Sequence, residues 1–320
     1  MDDVFGGFIQ FPSEARANHF RAYLCTMGKE LTLLFNMQIN KTPMAAQQQV
    51  ILGSLWDAVQ RFVKTAPNKR QKYLKRISNI MDADSASVIN ILRLHGNLNY
   101  AAAVAPYGRP FLASLTNAAC GRTLDEQVTI NEEVGLCLRI WRSILTKNRG
   151  VSFDFLTDAL PRCNNDIFVD ASSSWGIGGL CGCAYFSYSW NELAPVQPDI
   201  IARMELLACL VALISFRDLL SGKIARLYCD NENAVTWIQK GRSKNILGTK
   251  FLAYWEFEKY SSKCKISPLW LPSDHNCTAD SLSRGKTPRW LKRDGVRRAI
   301  DIDKLKFGIN NILRLWNSIY

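Results

Sequence analysis

The sequence predicts an α/β protein in which the carboxyl-terminal half forms a mixed sheet and the amino-terminal half is mainly helical. The first observation is a change near residue 164, where helical periodicity gives way to short apolar strands separated by glycine and serine turns. The second is the order of the elements that follow: three strands, a helix, a strand, helices, a strand and a helix. The third is composition, because a chain of 320 residues with 48% hydrophobic residues can bury more than one core.

The amino-terminal half is predicted to become helical after a short stretch of strands. The first ten residues follow the pattern of a strand, a Gly-Gly turn and a strand, and Ser13 belongs to a helix start signal. Residues 62–120 contain the basic run NKRQKYLKR followed by apolar residues at helical spacing. This pattern predicts a small helical bundle with a basic face, although such a run is also typical of a solvated helix surface. Residues 125–147 are predicted to be helical as well.

The carboxyl-terminal half contains five predicted strands and a closing basic segment. Each strand is a short run rich in apolar and aromatic residues, and each helix has longer apolar spacing. Strands are predicted at 167–171, 178–185, 185–190, 224–229 and 266–271, and helices at 202–220, 231–239, 248–263 and 279–284. The segment from 285 to 320 is basic at first and is predicted to end in an amphipathic helix that carries Leu305, Phe307, Ile312, Leu313 and Trp316.

Four acidic residues lie at the positions where α/β sheets place their sites. Asp170 and Asp230 each end an apolar strand, Glu205 lies within the apolar helix, and Asp280 begins the last short helix. If the two strands are neighbours, Asp170 and Asp230 lie side by side at the carboxyl ends. A charge at Glu205 is costly unless it is paired or coordinates something. These four are the candidate catalytic and metal-binding residues.

Clustered carboxylates repel one another and raise each other's pKa, and a divalent cation removes that conflict. Ligand sets made only of oxygen select Mg²⁺ or Mn²⁺ over zinc. Two such ions roughly 4 Å apart can activate a water and stabilise the departing oxygen of a phosphodiester. The predicted cofactor is therefore a pair of Mg²⁺ ions, for which Mn²⁺ can substitute.

Each acid taken alone has a structural alternative. Asp170 fits a turn, and Asp280 fits a helix N-cap. Glu205 fits an ion pair with Arg203 or Arg217. All four in this order, each at the end of an element or on a buried face, favour a common site over these separate explanations.

The segments FVDASSSWGIGG, RMELLA, LYCDNENAV and LPSDHNCTADSLSR together resemble the ribonuclease H domain of retroelement reverse transcriptases. The resemblance covers residues 164–286 and implies a five-stranded sheet of order 3-2-1-4-5. It implies that Asp170, Glu205, Asp230 and Asp280 bind two Mg²⁺ ions, with Asp170 bridging them. The implied reaction is hydrolysis of the RNA strand of an RNA–DNA hybrid, which leaves 3′-hydroxyl and 5′-phosphate ends.

Other residues of this domain have roles that only the resemblance implies. Ser172 and Asn231 would meet the backbone of the hybrid. Cellular members of the ribonuclease H family carry a histidine that assists catalysis, on a long loop well ahead of the last aspartate. In this chain His275 lies only five positions before Asp280. It assists product release or is an ordinary loop histidine. The chain between residues 231 and 251 is too short for the basic helix of some cellular members, so the basic bundle or the tail would grip the substrate.

The amino-terminal half resembles other parts of the same proteins. MDDVFGG resembles the tail of the polymerase Tyr-x-Asp-Asp motif, residues 40–42 the lysine-bearing motif, and residues 52–57 the primer-grip hairpin. Residues 95–112 resemble the thumb and connection of DIRS-type elements. The predicted divisions are a palm remnant (1–60), a thumb-like helical bundle (61–124), a connection (125–163), the ribonuclease H-like domain (164–286) and a basic helical tail (287–320).

The implied polymerase part is incomplete. The tyrosine of its motif, the strand with the other metal-binding aspartate and the fingers would precede Met1, so no polymerase activity is expected from this chain alone. A truncated element, or a gene start placed at an internal methionine, would explain this. A partner chain that supplies the missing polymerase half is a third alternative.

Charge and cysteine usage limit the partners. Forty Lys and Arg against 28 Asp and Glu give a net charge of +12, which predicts an acidic polymer as partner. The longest apolar run, 206–216, is too short to span a membrane, and the opening residues do not form a signal peptide. Ten cysteines without framework spacing indicate reduced thiols in the cytoplasm or nucleus, and Cys181 and Cys183 are predicted to alternate on a strand.

Two functions from different classes follow. The first is an Mg²⁺-dependent endoribonuclease acting on RNA–DNA hybrids. The alternative is a non-catalytic, nucleic-acid-binding relic of a reverse transcriptase, which would show a steep salt dependence of binding without cleavage.

Overall fold

The computed structural model describes residues 48–152, 160–243, 245–312 and 314. The predictions for the first hairpin, the helix that starts near Ser13 and the polymerase-like motifs at 1–7 and 40–42 lie outside the described residues. The same is true of Leu313 and Trp316 in the predicted last helix.

The described amino-terminal half is mainly helical, as predicted, but also contains short strands. Its strands and helices are, in chain order, β1 (Gln48–Ile51), β2 (Ser54–Asp57), β3 (Phe62–Thr65), α1 (Pro67–Asp82), β4 (Ser85–Ser87), α2 (Val88–Ala101), α3 (Leu112–Ala119), β5 (Gln127–Thr129), α4 (Glu132–Lys147) and β6 (Val151–Ser152). The prediction of a helical bundle over 62–120 is wrong at β3 and β4, because long-range pairing of these short segments overrides their local pattern. The prediction of a helix from residue 125 is wrong as far as Asn131, whose side chain caps α4 by accepting a hydrogen bond from the Val134 N–H.

Two small sheets frame these helices. The hairpin expected around residues 52–57 is present as β1 and β2, with a turn at Leu52 and Gly53 where both φ angles are positive. β3 pairs next to β2, and β6 is the edge strand beside β3, so the order of this sheet is β1-β2-β3-β6. β4 and β5 form a separate antiparallel pair.

In the described part of the carboxyl-terminal half there are six strands and eight α-helices. In chain order these are β7 (Ile167–Ala171), β8 (Gly176–Cys181), β9 (Ala184–Ser189), α5 (Trp190–Leu193), α6 (Ile201–Ser215), α7 (Arg217–Leu220), β10 (Ile224–Cys229), α8 (Glu232–Lys240), α9 (Ile246–Ser261), β11 (Lys265–Trp270), α10 (Cys277–Ser283), α11 (Arg289–Asp294), β12 (Val296–Arg297) and α12 (Ile302–Asn310).

The central sheet has the order β11-β10-β7-β8-β9-β12. β7, β8 and β9 are antiparallel neighbours, whereas β10 and β11 run parallel to β7, and β12 runs parallel to β9. The first five strands keep the relative order 3-2-1-4-5, but the sheet differs from the predicted one by a sixth strand at the β9 edge. Val296 and Arg297 form this strand. Both residues are exposed, so the sequence shows no alternation of buried and exposed residues that would have predicted a strand here.

The turn between β8 and β9 corrects the prediction of the second strand of this sheet. The strand predicted over 178–185 ends at Cys181, because Gly182 takes a φ of 62° that only a turn requires. Cys181 is buried and Cys183 is exposed in the turn, so the two thiols do not alternate along one strand.

One apolar core joins the two halves of the described chain. Helix α6 is buried on nearly all sides, as expected of a helix without a polar face, and it packs across β7 and β8. Helix α9 contacts α6, and it also contacts the 3-10 helix Pro106–Phe111 of the amino-terminal half. Helix α12 packs on α9 where Gly308 meets the Tyr254 ring, so this part of the basic carboxyl-terminal segment lies against the same core. No helix among the described residues combines the length and apolar character needed to cross a membrane.

Candidate active site

The parallel register between β7 and β10 brings Asp170 and Asp230 to the same edge of the sheet, where both strands end. Leu227 is paired with Ile167, and Tyr228 with Phe168. Continued by two residues past the printed pairs, the same register would set Asp230, which follows β10 directly, opposite Asp170, and the charge of Asp230 does act on the Asp170 carboxyl. Asp170 lies within β7 and is buried, so it is not a turn residue.

Glu205 reaches the same sheet edge from helix α6. Its carboxylate is almost fully buried, and one oxygen accepts a hydrogen bond of 3.0 Å from the Ala171 N–H. The other oxygen lies 3.5 Å from the Cys229 sulfur, which donates to it. These donors fix the Glu205 side chain directly behind the carboxyl ends of β7 and β10.

The ion pairs that could have explained Glu205 do not form. Arg203 binds Asp199 at 2.6 Å, and Arg217 binds Glu258 at 3.5 Å. The described donors to Glu205 are thus a backbone amide and a thiol, neither of which carries a positive charge.

Helix α10 brings Asp280 to the site because glycine lets it approach the sheet. Gly178 is paired with Asp170 across β7 and β8, and a Cβ at Gly178 would lie 2.4 Å from the Ser283 nitrogen. At the start of the helix, Asn276 is buried and donates a 2.8 Å hydrogen bond to the Val169 carbonyl. The helix is therefore fixed against β7 and β8 at both ends.

Asp280 lies inside α10 rather than at its N-cap, which is Asn276. Its N–H donates to the Asn276 carbonyl, and its side chain is partly exposed. Arg284, one turn later, donates to the same carboxylate oxygen of Asp280 from two nitrogens, at 2.8 and 2.7 Å. Asp280 is thus the one of the four acids that has an arginine partner among the described residues.

The acids affect one another electrostatically. Burial, with a contribution from the charges of Asp230 and Asp280, raises the pKa of Asp170 from 3.8 to about 6. Burial also raises the pKa of Glu205 well above its ordinary value, and the charges on Asp170 and Asp230 add to this. Both carboxylates are therefore destabilised as anions in the metal-free fold, which is the condition that a bound divalent cation relieves.

The ligand atoms suit a divalent cation. Glu205, Cys229 and Asp230 each offer one atom, and these three atoms lie within 4.8 Å of one another. Asp170 and Asp280 lie outside that group at this distance, but the charge of Asp170 acts on Glu205, and the charge of Asp280 acts on Asp170. Carboxylate oxygens are the ligands that Mg²⁺ prefers, so the acids fit the predicted cofactor.

The neighbouring polar residues have structural partners of their own. Ser172 is buried, and its hydroxyl lies 3.0 Å from that of Ser174. Asn231 caps α8 by accepting from the Ala234 N–H at 3.1 Å. His275 is exposed on the turn before α10, with its Nε2 4.0 Å from the Asp274 carboxylate.

Comparison with known proteins gives little beyond this geometry. No family model matches the sequence, and no curated protein matches it. A solved structure of the foamy viral protease-reverse transcriptase dRH in complex with double-stranded DNA is similar, at 14% identity and a TM-score of 0.34. The similarity covers 79% of this chain and 43% of that chain, so the chain spans less than half the length of that protein.

Three residues of the site were not identified from the sequence. Cys229 precedes Asp230 and has the pattern of an ordinary strand residue, so nothing marked it as a neighbour of Glu205. Asn276 precedes a short helix, and its contact with β7 is long-range. Arg284 could have been found, because a basic residue four positions after an acid on a helix is a recognised pairing.

Proposed function

We propose that this chain is an Mg²⁺-dependent endoribonuclease that cleaves the RNA strand of RNA–DNA hybrids. The observation that carries the proposal is the parallel register of β7 and β10, which brings the strand ends with Asp170 and Asp230 to one edge of the sheet, with Glu205 buried against the backbone of Ala171. Asp280 completes the set from α10, a helix packed on β7 and β8. The proposed domain is ribonuclease H-like and occupies residues 164–286, and the relative order of its five strands supports this.

Each of the four acids has a distinct place in the proposed mechanism. Asp170, which feels the charges of both Asp230 and Asp280, would be a ligand shared by the two ions, and Asp230 and Glu205 would help to hold one of them. Asp280 would help to hold the other from α10, for which its carboxylate would have to leave Arg284. Two Mg²⁺ ions, when bound, supply an activated water and neutralise the departing oxygen.

The reaction is a hydrolysis without a covalent enzyme intermediate. The water oxygen bonds to phosphorus, the bond from phosphorus to the 3′-oxygen breaks, and the products carry 5′-phosphate and 3′-hydroxyl ends. The role of the protein is to hold the acids in fixed positions, which preorganises charge where the transition state needs it. The buried contacts of Glu205 and the glycine-mediated packing of α10 provide that rigidity.

The hybrid would be held by basic helices outside the acidic centre. Leu291 of α11 is fully buried against Ala279 and Leu282 of α10. Arg289 and Arg293 lie two positions to either side of Leu291, so they face away from this contact and into solvent. A basic surface is thereby attached to the helix that carries Asp280, at a position suited to contact phosphates.

The test is cleavage of a hybrid whose RNA and DNA strands carry different labels, with and without Mg²⁺. The proposal predicts cleavage of the RNA strand only, with dependence on Mg²⁺, and no cleavage of double-stranded RNA or DNA. Cleavage of the DNA strand, or cleavage that persists when metal is chelated, would contradict it.

The alternative of a non-catalytic nucleic-acid-binding protein is favoured by the Arg284–Asp280 ion pair, which already neutralises one of the four acids. A protein of this kind would bind hybrid with an affinity that falls steeply with salt, because each neutralised phosphate releases counterions. Binding to the hybrid without cleavage at any Mg²⁺ concentration would support this alternative. A complete polymerase formed with a partner chain is a separate proposal that would require primer extension by the mixture of the two chains.

A further inference from the structure

A thiol lies among the acids of the candidate active site. Cys229 is fully buried at the end of β10, and its sulfur is 3.5 Å from a Glu205 oxygen. Together with Asp230 these residues offer three ligand atoms within 4.8 Å of one another. A site that needed only Mg²⁺ would have no use for sulfur, which is a poor ligand for that ion.

The spacing of the sulfur and the oxygen fits a tetrahedral metal. With a Zn–S bond of about 2.3 Å and a Zn–O bond of about 2.1 Å, a tetrahedral angle separates the two ligand atoms by about 3.6 Å. The observed separation between Cys229 and Glu205 is 3.5 Å. These two residues therefore already have the spacing of a pair of zinc ligands.

The third ligand requires a small adjustment. Two carboxylate oxygens on the same tetrahedral ion lie about 3.4 Å apart, whereas the atom offered by Asp230 lies up to 4.8 Å from the others. Asp230 is only half-buried, and its carboxylate is held by one hydrogen bond from the Ser273 hydroxyl, at 2.5 Å. A rotation of this side chain that releases the Ser273 hydroxyl would close the gap, and the fourth position would be left for water.

We propose that Glu205, Cys229 and Asp230 form a site for a thiophilic divalent cation of the Zn²⁺ type, which inhibits hydrolysis by occupying the ligands that Mg²⁺ needs. When the metal–sulfur bond forms, the Cys229 thiol loses its proton to solvent, so the site holds one thiolate and two carboxylates. The inhibitory part of this proposal rests on the proposed nuclease function, whereas the binding part does not.

Binding is tested with Cd²⁺ on the full chain, because a cadmium–thiolate bond has an ultraviolet charge-transfer band that reports the sulfur directly. Wild type is compared with Cys229→Ala and with Cys229→Ser, which keeps the size of the side chain but replaces sulfur by oxygen. Cys209→Ala is the matched control, because Cys209 is also fully buried and contacts Cys229 but lies outside the three-residue group. Exposed thiols such as Cys120 and Cys183 contribute the same background in all four proteins.

The proposal predicts a band equivalent to one thiolate that is lost in both Cys229 variants and kept in Cys209→Ala. Equal bands in wild type and the Cys229 variants would overturn it, and so would a band that also disappears in Cys209→Ala, since the sulfur ligands would then be a thiol pair.

Inhibition is measured separately, as the Zn²⁺ concentration that halves hybrid cleavage at fixed Mg²⁺. Removing the sulfur ligand in Cys229→Ala should raise that concentration by about 10-fold or more, and an unchanged value would overturn the inhibitory role. If wild type fails to cleave hybrid at all, the nuclease proposal fails, but the Cd²⁺ band still decides whether the metal site exists.

Discussion

Gly178 connects the packing of the sheet to the position of the catalytic helix, so Gly178→Ala tests both. It is the cross-strand neighbour of Asp170, and α10 lies directly above it. A Cβ at this position would lie 2.4 Å from the Ser283 nitrogen and 2.5 Å from the Leu282 carbonyl carbon. Ordinary contacts begin at 3.4 Å, so the backbone of α10 must move by about 1 Å.

The displacement should lower stability and activity together. Overpacking of this kind costs about 1–3 kcal/mol of unfolding free energy, because the contact is with backbone rather than with the end of a flexible side chain. A shift of about 1 Å in the helix that carries Asp280 should reduce cleavage about 100-fold. Urea unfolding and the single-turnover rate of hybrid cleavage measure the two effects.

Gly96→Ala is the matched control. Gly96 lies in α2 with nothing within 4 Å of its added Cβ, so the same substitution should stabilise the chain by up to about 1 kcal/mol and leave cleavage unchanged. If Gly178→Ala behaves like Gly96→Ala in both assays, the close packing of α10 on β8 is not what positions Asp280.

Three further predictions concern stability. In metal-free buffer, Asp170→Asn should raise the free energy of unfolding by up to about 3 kcal/mol above pH 6 and leave it unchanged below pH 3.8, because the raised pKa makes the anion costly only where the carboxyl is ionised. Urea unfolding across pH measures this, and an equal effect at both pH values would contradict it. Asn276→Ala should cost about 1–3 kcal/mol by leaving the buried Val169 carbonyl without its donor, and an unfolding free energy equal to that of wild type would refute the role of this contact. Leu291→Ala should lower the free energy of unfolding by about 2–5 kcal/mol and Trp290→Ala by less than about 0.5 kcal/mol, because Leu291 is buried against α10 and Trp290 is exposed. Thermal unfolding measures both, and similar losses would mean that α11 is not anchored on α10.

The carboxyl-terminal sheet was largely predictable because its strands are short apolar runs with clear ends. The predicted strands 167–171 and 224–229 match β7 and β10 residue for residue. The buried position of Glu205 was also predictable, since an isolated acid in an apolar helix requires a partner. At these positions the local sequence preferences agree with the tertiary structure, and a fold can be predicted from sequence where the two agree.

The remaining features depend on contacts between distant parts of the chain. β12 contains only two exposed residues and exists because β9 offers a free edge, which no local pattern records. β3 lies in a region of helical composition but pairs with β2 and β6. The position of Cys229 beside Glu205 follows from the packing of α6 on the sheet, which the identity of neither residue reveals.

The most direct test of the account compares Asp170→Asn with Asp166→Asn in hybrid cleavage at saturating Mg²⁺. Asp166 lies just before β7 and binds Arg226 at 2.8 Å, so its substitution removes an acid from the same chain segment but not from the candidate active site. The account predicts that Asp170→Asn abolishes cleavage of the RNA strand while the chain stays folded, and that Asp166→Asn cleaves at nearly the wild-type rate. Substantial cleavage by folded Asp170→Asn would contradict the assignment of these carboxylates as the catalytic centre.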